Sequence, residues 1–106
     1  TMDTYRSKMA SFLRNFDVII CPASAKPALK PGGFLDPENK HVYSYTSAYN
    51  VTGWPAGVVR SGETSDGLPI SVQVISSPWN EHVVLAVMRY IESEFGGWQP
   101  PTLSLS

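Results

Sequence analysis

At 106 residues the chain is long enough for one small domain and too short for two. Its 42% hydrophobic and 16% charged residues exclude a disordered, strongly charged polypeptide. Eight basic and nine acidic residues leave a net charge of -1, with no basic concentration to suggest nucleic-acid binding.

The single cysteine, Cys21, excludes an intrachain disulfide and a cysteine-based zinc cluster, and it fits a reducing, cytoplasmic setting. No apolar run approaches the roughly 20 residues of a membrane-spanning helix, although peripheral membrane association stays open. The polar amino end, Thr1 to Arg6, does not read as a signal peptide. Beginning at Thr1 rather than methionine, the sequence reads as a processed chain or as a piece of a longer one.

Tyr5, Met9, Phe12, Leu13 and Phe16 recur on one face of a first helix, with Asp3 or Thr4 as its cap. Arg6, Lys8 and Arg14 lie off that stripe and should be solvated. Asp17–Cys21 predicts a short strand. Its unbroken run Val18-Ile19-Ile20-Cys21 suggests cover on both faces, and Pro22 should stop it.

Ala23–Val42 is a long connection with three prolines, read as a surface excursion more readily than as a cleft wall. Tyr45–Val51 predicts a short helix, capped by Ser44 or Thr46 and stopped by Gly53 and Pro55. Val58-Val59 then opens a strand, and Ser61–Gly67 reads as the turn into the next one. In that strand, Ile70, Val72 and Val74 share one face and Ser71, Gln73 and Ile75 the other. A last helix starts at Asn80 and Glu81, with Trp79 and Val84 spaced as a hydrophobic staple. Val84, Val87, Met88, Ile91 and Phe95 form its buried stripe, and Gly96-Gly97 end it. This inventory reads as a section of a larger α/β domain.

Residues of chemical interest do not assemble into a site. Cys21 with His41 or His82 could make a thiol nucleophile, but Cys21 ends an apolar strand and reads as a buried structural thiol. Ser24 and Lys26 could form a serine–lysine pair, yet no helix fixes their geometry. Glu81 and His82 are helix neighbours about 100° apart and do not make a metal site. The glycines lack the setting of a phosphate-binding loop. Trp54 and Trp79 read as packing anchors rather than as a binding surface with Trp98.

Tyr49-Asn50-Val51-Thr52-Gly53-Trp54-Pro55-Ala56-Gly57-Val58-Val59 resembles the carboxyl-terminal part of amidase-signature enzymes. Gly67-Leu68-Pro69-Ile70-Ser71-Val72-Gln73-Val74 is similar to the strand that follows in that family. Asp17–Pro22, Pro78-Trp79-Asn80-Glu81 and Gly97-Trp98-Gln99-Pro100-Pro101 match in order, and the last helix resembles the fatty-acid amide hydrolase-like branch.

The resemblance implies the carboxyl-terminal section of a mixed-sheet α/β fold with helices covering both faces. It implies cofactor-free hydrolysis of a carboxylic amide, through a Ser–cis-Ser–Lys triad, to an acid plus ammonia or an amine. The Gly/Ser-rich stretch and its lysine have no counterpart here, so residues 1–106 are expected to hold no catalytic residue and to be inactive alone. Lys8, Lys26 and Lys30 do not match the catalytic lysine. The implied partners are the remainder of the amidase domain and a small-molecule amide, with room for a homodimer of the full-length enzyme. Tyr43 and Ser47 fall at positions that line the acyl channel in the fatty-acid branch. The rival expectation is a non-catalytic structural or binding module derived from the same fold.

Overall fold

The computed structural model describes residues 1–42 and 44–101. Helix α1 spans Met2–Leu13, and strand β1 spans Ile19–Pro22. Helix α2 spans Ser44–Thr52, strands β2 and β3 span Ala56–Glu63 and Pro69–Ile75, and helix α3 spans Glu81–Phe95. The strand order is β1-β3-β2, antiparallel throughout. The implied mixed sheet is therefore not present among the described residues. A short hairpin forces β2 and β3 to run opposite ways, and β1 also pairs antiparallel to β3.

Helices lie on both faces. Val59, Val74, Val84 and Ile91 form one buried cluster, joined by Val18, Val72, Val87 and Met88, where α3 covers β2 and β3. Leu13, Trp54 and Ile75 form the second, joined by Met9, Ile19, Cys21 and Tyr49, where α1 and α2 cover the opposite face. The period-2 reading of β3 is thus correct: Val72 and Val74 point to α3, and Ile75 points to α1 and α2.

Gly57 lets α3 settle close to the sheet. It pairs with Val74, and a Cβ built on it would overlap Met88 Sδ and come within 3.3 Å of Val84 Cγ1. A side chain here would have to push aside the flexible end of Met88 and would press on Val84.

Several boundaries depart from expectation. Strand β2 runs on to Glu63, so the polar run at Ser61 is strand rather than turn. Ser61 itself bulges between Arg60 and Gly62, whose partners Ser71 and Ile70 are consecutive. The turn is confined to Thr64–Leu68. There Thr64 N donates to Leu68 O (2.8 Å), Leu68 N to Thr64 Oγ1 (3.0 Å), and Gly67 takes the left-handed φ of 89°. Thr64 Oγ1 also donates to Asp66, which holds that exposed carboxyl below its ordinary range.

Pro22 is part of β1 rather than beyond it, paired with Val72 at the sheet edge, where a missing N–H is tolerated. Cover on both faces of the Val18–Cys21 run is partial: Val18 packs against the first cluster and Ile19 and Cys21 against the second, but Ile20 is 54% exposed although its partner Val74 is fully buried.

Helix α1 is capped by Thr1, whose Oγ1 accepts from Thr4 N at 3.3 Å, not by Asp3 or Thr4. Its predicted stripe is only partly covered. Leu13 is buried and Met9 half-buried, but Tyr5, Phe12 and Phe16 are exposed, with the Phe12 and Phe16 rings 5.3 Å apart. Arg6 is not simply solvated. Its Nε donates to Val51 O at 2.8 Å, placing a cation at the carboxyl end of α2.

The staple before α3 does not form. Trp79 is 87% exposed and takes a left-handed φ of 69°, so it turns the chain into the helix without packing on Val84. Asn80 occupies the cap position through its backbone: Asn80 O accepts from Val83 N and Val84 N, while its side chain donates to Ser77 Oγ. Beneath it, buried Ser76 places Oγ 3.0 Å from Ser77 O and 3.2 Å from Asn80 O. At the far end, Phe95 is exposed and Gly96 takes the left-handed cap.

The Ala23–Val42 connection folds back on itself. Ala25 N donates to Val42 O (2.8 Å), which closes the loop over buried Val42. Two 3-10 turns, Gly33–Leu35 and Pro37–Asn39, lie inside it, and Asn39 Nδ2 donates to Gly33 O at 2.9 Å.

Candidate functional site

Helices α1 and α2 meet along an apolar groove of about 450 Å³, lined by Thr1, Met2, Tyr5, Ser47, Ala48 and Val51. Ser47 and Val51 are four residues apart, so α2 presents both on one side. Tyr5 and Met2 face them from α1. Ser47 contributes a hydroxyl to a wall that is otherwise mostly apolar. Tyr43, the other expected pocket residue, lies outside the described residues.

Beneath α2 sits a small polar cluster inside the second core. Gln73 is buried at the centre of β3, and its Nε2 donates to Tyr45 O at 3.3 Å and to Cys21 Sγ at 3.5 Å. Tyr49 packs against the same thiol. Burial foremost, then the charge of a Cys21 thiolate and the hydrogen bond with Cys21, push the Tyr49 phenol up to about 12. These contacts bind β1, β3 and α2 to one another. They place Cys21 in a structural role, with Gln73 and Tyr49 as its polar neighbours rather than a histidine. His41 and His82 are both exposed.

Ser24 and Lys26 are not a catalytic pair. Ser24 Oγ donates to the backbone Lys26 O (2.6 Å), while Lys26 Nζ donates to Asn39 Oδ1 (2.6 Å). The amine is committed to closing the loop and does not reach the serine hydroxyl as a base must. A second, open groove of about 410 Å³ lies here, between Pro22–Ala28 and the start of β3. Among the described residues no three His, Cys, Asp or Glu side chains come together as a metal would need. Of the two expected anchors, Trp54 is buried in the second core, whereas Trp79 is exposed, as is Trp98.

A family model described as Amidase matches residues 1–85. The chain belongs to the amidase family. Human fatty-acid amide hydrolase 2 is 29% identical over 99 residues, which is 93% of this chain and 18% of that protein. Among solved structures, a glutamyl-tRNA(Gln) amidotransferase component from Thermotoga maritima superposes with a TM-score of 0.77 at 29% identity, covering 87% of this chain and 21% of that one. A 6-aminohexanoate cyclic dimer hydrolase, solved with its substrate, gives a TM-score of 0.78 at 23% identity, covering 95% and 24%. The chain therefore spans about a fifth of the length of the amidases it matches. Among the described residues no helix is long and apolar enough to cross a membrane.

Ser47 shares its groove with Met2, Tyr5, Ala48 and Val51, none of which the family resemblance singles out. Nothing in the sequence pairs Met2 and Tyr5 with Ala48 and Val51 across more than forty residues. The Gln73 link had a readable signal, an amide alternating with Ile75 on an inner strand face.

Proposed function

We propose that this chain works as the carboxyl-terminal part of an amidase that hydrolyses a carboxylic amide C–N bond to an acid plus ammonia or an amine. In this reading the Ser–cis-Ser–Lys triad of the family lies outside residues 1–106. These residues complete the sheet and supply part of the substrate-pocket wall, with Ser47 on that wall. The observation that carries the reading is the match of residues 1–85 to the amidase family in a chain whose own Ser24 and Lys26 are held apart from each other's chemistry. The apolar lining around Ser47 agrees with an acyl group rather than a charged substituent.

The test is expression of the complete gene and measurement of ammonia or amine release from primary amides of graded acyl length. The expected outcome is turnover by the gene product and none above background by residues 1–106 alone. Hydrolysis by the 106-residue chain that disappears in Cys21→Ala or Ser24→Ala would overturn the assignment of catalysis elsewhere.

A non-catalytic binding module of the same fold is the rival. A complete gene product that folds yet hydrolyses none of these amides would count for the rival.

A further inference from the structure

We propose that the Asp66–Gly67 bond is a site of spontaneous covalent modification, where a succinimide and then an isoaspartyl linkage form, and that Thr64 holds the reaction in check in the folded chain. The inference stands on the turn between β2 and β3 and is independent of the amidase reading.

Asp66 is the only aspartate or asparagine in the sequence that is followed by glycine. The attacking group is the backbone nitrogen of that next residue, and glycine puts no Cβ in the way of ring closure. Packing walls off neither reactant. Asp66 is exposed, and a Cβ built on Gly67 would meet nothing within 4 Å.

In the first step the lone pair of Gly67 N forms a bond to Asp66 Cγ. The carboxyl hydroxyl departs with the amide proton as water, which closes the succinimide. Water then adds to the former main-chain carbonyl of the ring and breaks its bond to nitrogen. The chain now runs through Cγ, and the former main-chain carbon becomes a free carboxylate. One water is lost and one gained, so no oxidant, reductant or other reactant is needed.

The turn disarms both reactants. Gly67 N donates to Thr64 O at 3.0 Å, which commits the nucleophile to the turn. Thr64 Oγ1 donates to the Asp66 carboxylate. That bond favours the ionised form, whereas the electrophile is the protonated carboxyl. The low carboxyl pKa agrees: the Thr64 hydroxyl contributes most to it, then the backbone amide of Asp66 itself. Thr64 is in turn held at the closed end of the hairpin, since its Oγ1 accepts from Leu68 N at 3.0 Å and its N donates to Leu68 O at 2.8 Å.

Peptide mapping of isoaspartate at position 66 tests this on the product of the complete gene, incubated near neutral pH in buffer and in urea. Thr64→Val removes the hydroxyl and leaves the backbone bonds of the turn available, and Thr64→Ser restores the donor. In buffer, Thr64→Val should form isoaspartate on the order of tenfold faster than the native chain, because a hydrogen bond to the charged carboxylate is lost. Thr64→Ser should stay close to native, and Thr64→Ala replaces the valine variant if that does not fold. In urea all of them should react at one common, faster rate. Equal rates for native and Thr64→Val in buffer, or a native rate that unfolding does not raise, overturn the inference. So does a Thr64→Val difference that persists in urea, since it would then belong to local sequence and not to the fold.

Discussion

Gly57 and Met88 illustrate how one missing side chain sets the distance between a helix and a sheet. Met88 Sδ occupies the space a Cβ at position 57 would need. Gly57→Val should lower unfolding free energy by about 1–3 kcal/mol, read by urea denaturation, and Met88→Ala in the same background should return part of that loss. Tyr49 gives a pH signature. Its phenol is held neutral to about 12 in the fold against an ordinary value of 10.0. Between these values the folded state binds more protons than the unfolded one, so stability falls as pH rises. The contribution is complete below pH 10 and is lost as pH climbs toward about 12. Denaturation midpoints across this window should decline in the native chain, and Tyr49→Phe should flatten the decline.

At the level of elements, two arginines hold helix ends that the packing alone leaves open. Arg6 closes α1 onto the end of α2 through Val51 O, and Arg60 binds β2 to the end of α3. Each puts a guanidinium against a last-turn carbonyl, Val51 O or Phe95 O, of the kind that has no partner inside its own helix. Arg60 is largely covered, so its bonds are poorly replaced by water. Arg60→Met should cost about 1–2 kcal/mol and speed amide exchange in the last turn of α3, with Arg60→Lys intermediate because lysine cannot span both acceptors as a planar fork. A uniform loss of protection across α1, α2 and α3 would contradict this local role.

Across the whole molecule the two cores do not enclose all the apolar surface. Phe12, Phe16, Ile20, Val58, Trp79 and Trp98 remain open, and the radius of gyration is 16.0 Å, against about 13 Å for a compact domain of this length. Surface of this kind binds dyes that report exposed apolar groups. Residues 1–106 alone should therefore show strong dye fluorescence, and the complete gene product should show much less per mole. A dye-silent, cooperatively folded monomer of 106 residues would count against the incomplete-domain reading and for the binding module.

The sequence by itself determined the order and type of the elements, the two faces of β3, the buried roles of Trp54, Val84 and Ile91, and the family. Each follows from local pattern: strict alternation in β3, helical spacing in α3, and the residues from Tyr49 to Val59. What it misjudged depended on neighbours distant in the chain. Phe12 and Phe16 keep the helical spacing of buried residues, but no element lies over them. Trp79 has the spacing of a staple, but its left-handed backbone carries the ring away from Val84. Strand β2 continues through Ser61–Glu63 because β3 supplies hydrogen-bond partners there, which overrides the turn propensity of serine and glycine. Only the tertiary structure brought Ser47 against Tyr5, tied Lys26 to Asn39 instead of Ser24, and left an interior-type strand at an edge. Side-chain periodicity specifies which face is apolar; which polypeptide covers that face is decided by contacts between segments far apart in sequence.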